Sequence, residues 1–309
     1  MRVQAAMDRR TASRYAAPMH NIFTRRHLLG GAALAGLAAM SGCTSLGALN
    51  GLNTLSPGDR GVHRAANGVP LGADPRQRLD VWAPTAIAAP LPVVVFFYGG
   101  SWNSGARADY AFAARALAAR GFVVVVPDYR LVPQVRFPAF VEDGALAVAW
   151  TAANIASHGG DPARIAVMGH SAGAHIAMLL ALDRRYGASG AIKAVVGLAG
   201  PYDFRPFTAG GAADLALGQA PNADDTQPIS FARPDAPPVL LLSGDEDTTV
   251  MPANSTRLAA ALTTAGSTAQ TRLYPGIGHA GIIMAMSKPF RGKAPVMDDV
   301  SAFLAKTLG

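Results

Sequence analysis

Gly169-His170-Ser171-Ala172-Gly173 has the pattern Gly-x-Ser-x-Gly, in which a serine can be raised to a nucleophile. A serine hydroxyl attacks a carbonyl poorly until an adjacent base takes its proton. That base is usually a histidine oriented by a carboxylate. Two later stretches supply these groups. Ser243-Gly244-Asp245-Glu246-Asp247-Thr248-Thr249-Val250 contains three acids, and Pro275-Gly276-Ile277-Gly278-His279 ends on a histidine. The chain therefore runs serine, acid, histidine, with 76 residues from Ser171 to Asp247 and 32 more to His279. Each gap is long enough for strand and helix units that return the chain to one edge.

The elements that must position these groups are legible. Residues 164–168 read as a buried strand, and residues 172–182, rich in Ala, Leu and Met, as a helix. A serine between them sits on a strained turn that lifts its hydroxyl clear of a sheet, while the flanking glycines let strand and helix pass closely. The N-terminus of the following helix points its free N–H groups at the reaction centre. Further strands are expected at 79–82, 93–97, 122–126, 194–198, 239–242 and 271–274, and further helices at 110–119, 140–157, 255–265 and 297–308. Their alternation predicts an α/β fold with a doubly wound, mostly parallel sheet. Continuous β-branched runs imply strands buried on both faces. Ligands in such sheets bind beyond the carboxyl ends of the strands, where Ser171 lies.

Serine, aspartate and histidine in that order is the order of α/β-hydrolases. From about Leu79 onward the chain resembles α/β-hydrolase-fold esterases of the bacterial carboxylesterase and hormone-sensitive-lipase-like group. Besides the nucleophile motif, Tyr98-Gly99-Gly100-Ser101-Trp102 resembles the His-Gly-Gly-x-Trp loop of that group, with Tyr98 where the group usually has His. Asp128-Tyr129-Arg130-Leu131, Phe137-Pro138-Ala139 and Glu142-Asp143 match a further block. The resemblance implies a catalytic triad of Ser171, Asp247 and His279. Asp247 is favoured by an Asp-x-x-Val spacing through Val250, and Asp245 is the alternative. It also implies an oxyanion hole formed by the N–H groups of Gly100, Ser101 and Ala172. The implied activity is ester hydrolysis through an acyl-enzyme, on a small-molecule substrate, with no metal or organic cofactor. Amidase, formamidase or peptidase chemistry on the same triad is one alternative, and a catalytically silent binding module of the cell envelope is another.

Other residues have plainer readings. His170 and His175 read as packing or pocket lining. His158 and Asp161 read as turn residues, and Glu142 and Asp143 as structural partners of Arg130 or Arg136. Trp102, Tyr202, Phe204 and Phe207 are either pocket walls or ordinary core. No His/Cys/Asp spacing resembles a metal site, and Gly99-Gly100 belongs to no dinucleotide-binding pattern.

The net charge of +7 suggests a nucleic-acid partner only until it is located. Residues 1–27 hold six arginines (Arg2, Arg9, Arg10, Arg14, Arg25 and Arg26) and one acid, Asp8, so most of the excess lies ahead of any folded face. These charges precede an apolar stretch, 28–40, too short to span a membrane, and then Ser41-Gly42-Cys43. Thr24-Arg25-Arg26-His27-Leu28-Leu29 resembles a twin-arginine export signal, and Met40-Ser41-Gly42-Cys43 a lipobox with Cys43 as lipidation site. Cys43 is the sole cysteine, so no intramolecular disulfide can form. The expected organisation is an export signal over 1–43, a polar tether over 44–75, and a catalytic domain over 76–309 with an insertion at about 201–238. The expected location is outside the cytoplasm, on a membrane through the lipid.

Overall fold

The computed structural model describes residues 58–309. The expected export signal, its Cys43 and the first part of the tether lie outside these residues. Among the described residues the frame is an eight-stranded sheet of order β1-β2-β4-β3-β5-β6-β7-β8. Its strands are β1 Val62–Pro70, β2 Arg78–Pro84, β3 Leu91–Phe97, β4 Val123–Pro127, β5 Gly160–His170, β6 Ile192–Leu198, β7 Val239–Gly244 and β8 Ala269–Tyr274. Neighbours from β4 to β8 are parallel, whereas β1 and β2 add an antiparallel edge. The valines of β3 and β4 are fully buried. Helices cover both faces of such strands, so the side chains cannot alternate between apolar and polar.

The helices are α1 Ala111–Ala118, α2 Ala139–Asn154, α3 Ala172–Leu182, α4 Ala212–Leu217, α5 Ala253–Thr264, α6 His279–Met284 and α7 Val296–Leu308. Every residue of α3 is buried. A helix apolar all round must be enclosed, and α3 lies between β5 and β6 on one side and α2 on another. The polar exception on it, His175, donates its Nε2–H to the Thr226 carbonyl at 2.8 Å. Burial lowers its pKa to about 4. His170, at the end of β5, is lowered to about 3, first by burial and then by the neighbouring His279 ring.

Two elements differ from the sequence reading. The tether was expected to run to residue 75, but β1 occupies 62–70 and pairs with β2, so the folded domain begins before residue 76. Its pattern is half-exposed throughout and broken by two register shifts, with an Asn67-Gly68 step that imitates a turn. An edge strand of this kind carries no apolar run to announce it. The second is α6, which begins at His279 where no helix was expected, with its Ile282 and Ile283 fully buried.

The insertion between β6 and β7 is closed on itself at its base. Asn254 Oδ1 accepts the N–H groups of Tyr202 and Asp203 at 2.9 and 3.0 Å. Gln227 Oε1 accepts from Phe204 N–H at 2.9 Å, and Ile229 N–H donates to the Tyr202 carbonyl at 3.1 Å. Farther out, α4 holds the loop before α2, where Phe137 N–H donates to Ala216.

Two outcomes follow from this packing. A Cβ at Gly173 would stand 2.1 Å from the Phe97 carbonyl oxygen, whereas one at Gly190 would meet nothing within 4 Å. Gly173→Ala should cost about 1–3 kcal/mol or more in urea unfolding, and Gly190→Ala should be close to neutral. His170 and His175 are neutral when folded, while the unfolded chain protonates them at about 6.5. The unfolded state therefore binds more protons as pH falls below about 6.5, and stability is lost toward about pH 4. The urea midpoint should already fall between about pH 7 and 5, above the ordinary carboxylate range. A flat profile there would contradict the burial of both rings.

Candidate active site

Ser171 is the single residue between β5 and α3, with φ 53° and ψ −123°. This backbone region is strained for any residue but glycine. The crowding around it leaves little alternative: a Cβ at Gly169 would meet the Gly173 carbonyl carbon and oxygen at 2.3 Å. Ser171 N–H donates to the Leu198 carbonyl of β6 at 2.9 Å, and Ser171 O accepts from Ala174 and His175 N–H. The serine is thus fixed from both sides.

Ser171 Oγ lies 2.9 Å from His279 Nε2. His279 Nδ1 lies 2.8 Å from Asp247 Oδ2. A carboxylate can only accept, so Nδ1 carries the imidazole proton and Nε2 offers its lone pair to the serine hydroxyl. Asp247 is buried, and its Oδ1 accepts the N–H groups of Thr249 and Val250 at 2.9 and 2.8 Å. Asp245, two residues earlier, is exposed and caps Gly276 N–H instead. The structure brings Ser171, Asp247 and His279 into one hydrogen-bonded line and leaves Asp245 out of it.

The loop after β3 presses on this line. A Cβ at Gly99 would meet His170 Nδ1 at 2.9 Å and Ser171 Cβ at 3.1 Å. Gly100, Ser101 and Trp102 all have positive φ, at 133°, 52° and 59°. The Gly100 carbonyl turns away to accept from Asn103 and Ser104 N–H at 3.1 and 3.0 Å. Among the described residues no acceptor takes the N–H of Gly100 or Ser101. Ala172 is the first residue of α3, whose N–H has no partner within the helix. Ser101 and Ala172 line the same cavity as Ser171, and Gly100 directly precedes Ser101.

Tyr98 replaces the expected histidine without loosening the loop. Its ring stacks on Tyr129 at 4.5 Å, its carbonyl accepts from the Tyr129 hydroxyl at 2.9 Å, and its own hydroxyl accepts from Arg76 Nη2 at 3.0 Å. Burial raises the Tyr98 pKa above the ordinary phenol range, so it stays neutral. Arg76 also donates to the carbonyls of Gly105 and Tyr129 at 2.6 and 3.1 Å. Sequence reasoning did not single out Arg76, because nothing marks it among the other arginines.

A cavity of about 620 Å³ opens on Ser171. Trp102, Phe204, Ala213, Val250 and Met251 form apolar wall, and Asp203 pairs with Arg257 at 2.6 Å on its polar side. Trp102 and Phe204 stack with centroids 6.2 Å apart. Phe207 packs behind Phe204 at 5.4 Å, and Tyr202 is fully buried beneath, so these two are support and not wall. His175 lies under the same wall, edge-on to Trp102 at 5.3 Å. Asp143 is held by Arg130 at 2.8 Å and by Gln77 at 2.8 Å, and Asp161 pairs with Arg164 at 2.7 Å, all structural contacts.

Several proteins similar to this chain in sequence or in shape carry esterase names. A family model described as BD-FAE matches residues 79–262. Esterase LipC of Mycobacterium tuberculosis is 35% identical over 245 residues, 71% of this chain and 60% of its own length. Isoprenylcysteine alpha-carbonyl methylesterase ICME of Arabidopsis thaliana is 31% identical over 255 residues, covering 74% of this chain and 59% of that protein. The chain thus spans less than two thirds of these curated relatives. Among solved structures, a hyperthermophilic esterase from Pyrobaculum calidifontis aligns with a TM-score of 0.69 at 26% identity, over 86% of this chain and 92% of that one. The thermostable carboxylesterase EstE1 aligns with a TM-score of 0.74 at 22% identity, over 86% and 96%, a likeness of fold. With the family model matching more than half its residues on this sheet, the chain has the α/β-hydrolase fold and belongs to the BD-FAE family.

Proposed function

We propose that this chain is a serine esterase that hydrolyses small carboxylic esters through an acyl-enzyme. The observation that carries the reading is the line Ser171 Oγ, His279 Nε2, His279 Nδ1, Asp247 Oδ2, with both links under 3 Å and the serine facing a cavity. Ser171 Oγ attacks the ester carbonyl while His279 Nε2 takes its proton. Asp247 holds the Nδ1–H tautomer and stabilises the imidazolium. The oxyanion receives the N–H groups of Gly100, Ser101 and Ala172, each donor worth about two to three orders of magnitude in rate. His279 returns its proton to the leaving alcohol. Water then enters by the same base and frees the acid. The names of LipC, ICME and the structural relatives support an ester over an amide.

Fluorophosphonate labelling of the wild type, followed by turnover of p-nitrophenyl esters of rising chain length and a matched p-nitroanilide, tests the reading. Ser171→Ala should abolish both labelling and turnover while the protein stays folded. Asp247→Asn should lower kcat by orders of magnitude through the wrong tautomer, and Asp245→Asn should change it little. Near-normal turnover by Ser171→Ala, or faster anilide than ester cleavage, would overturn the proposal.

We further infer that residues 1–43 export the chain and that Cys43 accepts a lipid anchoring it to a membrane. The support is the paired Arg25-Arg26, the short apolar stretch and the small residues before Cys43. The full chain should partition into detergent, and Cys43→Ala should release it as a soluble species or block its maturation. A wild type found wholly soluble outside the cytoplasm removes the anchor, and a cytoplasmic one with residues 1–42 intact removes export as well.

A further inference from the structure

His170, beside the nucleophile in sequence, is not in the cavity wall. Its Nε2 lies 3.1 Å from the backbone carbonyl of His279, and its Nδ1 lies 3.0 Å from the Tyr110 hydroxyl. The two imidazoles pack with centroids 5.1 Å apart. Tyr110 is buried, and its ring packs against that of Tyr98, in the loop before Gly100, with centroids 6.0 Å apart. A backbone carbonyl can only accept, so His170 Nε2 carries hydrogen and donates to the His279 carbonyl, which leaves Nδ1 with its lone pair. The Tyr110 hydroxyl, with one proton to give, therefore donates it to His170 Nδ1.

Tyr110 itself is held. It ends the turn Arg107–Tyr110, and Arg107 is clamped there. Its Nε donates to Asp80 Oδ1 of β2 at 2.8 Å, its N–H donates to Asp128 Oδ1 at 2.7 Å, and its guanidinium pairs with Asp128 Oδ2. His279 opens α6 after Gly276-Ile277-Gly278, a turn tied to the acid loop by Gly276 N–H to Asp245 Oδ1 at 2.8 Å and by Glu246 N–H to the Ile277 carbonyl at 3.1 Å. Asp247 orients the ring of His279, and His170 adds a side-chain bond to the carbonyl of His279 itself.

We propose that His170, set by Tyr110, is a positioning residue for the base: its Nε2–H pins the His279 carbonyl and so fixes the reach of His279 Nε2 to Ser171 Oγ. The proposal rests on the esterase reading above. The neutrality of His170 suits the role, since a second charge 5.1 Å away would oppose the imidazolium that forms on His279.

The amide nitrogen of glutamine can stand where Nε2 stands, whereas asparagine reaches only the Nδ1 position and phenylalanine keeps ring volume alone. Full-length His170→Gln, His170→Asn and His170→Phe are compared in p-nitrophenyl butyrate turnover, fluorophosphonate labelling rate and thermal melting. His170→Asn and His170→Phe should lose about 10- to 100-fold in kcat and in labelling rate. KM should stay within about twofold, and His170→Gln should recover most of kcat. Tyr110→Phe should fall between wild type and His170→Asn. A structural role alone would lower the melting temperature without this split and without recovery by Gln. If His170→Phe does not fold, the Gln and Asn pair decides. Wild-type kcat in His170→Asn, or a His170→Gln as slow as His170→Asn, overturns the positioning role alone. A wild type that neither labels nor turns over overturns the esterase reading beneath it.

Discussion

One backbone conformation organises this molecule: the positive φ of Ser171, wedged between β5 and α3. It is tolerable because Gly169 and Gly173 have no side chains, and because Ser171 N–H is captured by β6. Strand and helix then meet with a single residue between them. That contact forces α3 into the centre of the fold, where each of its residues is enclosed, and it explains why the helix has no polar face. The same contact pushes Gly173 against the end of β3, so the Gly99-Gly100 loop has one course open to it, over the serine.

The sheet was legible because its central strands are apolar on both faces. Runs such as Val123 to Val126 cannot be exposed, and their periodicity needs no context. What hid β1 was its place at the edge. Its side chains are half-solvated, it bulges twice, and its Asn-Gly step mimics a turn. Edge pairing is decided by the partner, here β2, and leaves little trace in the strand's own composition. The register shifts of β1 are likewise properties of the pair and not of either sequence.

At the site, motif and chain order nominated Ser171, an acid of the 245–247 loop, and His279, and the structure places three of these residues in contact. The choice between Asp245 and Asp247 rested on a spacing to Val250. The geometry supplies a reason for that spacing: Val250 N–H and Thr249 N–H both bind Asp247 Oδ1, which turns Oδ2 toward the imidazole. What could not be read was the support. Arg76 reaches the Tyr98 hydroxyl across the fold, and the bond from His170 to the His279 carbonyl joins residues 109 positions apart. Side chain to backbone bonds of this kind have no pattern in sequence, since any carbonyl can accept. His170 and His175 looked alike on paper; one faces the base and the other faces Thr226.

The closed base of the insertion has a consequence for how such a chain can diversify. Phe204 is tied to Gln227, and Tyr202 to both Ile229 and Asn254, so the loop's two ends are fastened to each other and to α5. What lies between is tied to other elements: the Thr226 carbonyl accepts from His175 of α3, and the Ala216 carbonyl accepts from Phe137 N–H before α2. The segment 205–226 is therefore braced at its far side as well as at its base, with Ala216, Leu217 and Thr226 buried. It contributes Arg205, Ala212 and Ala213 to the cavity, yet the reacting groups hang on other elements. Replacing the whole segment would take the partner of His175 from the helix that opens at the nucleophile, whereas side-chain exchanges at Arg205, Ala212 and Ala213 alter the wall alone, a narrower route by which one scaffold can acquire new substrate ranges.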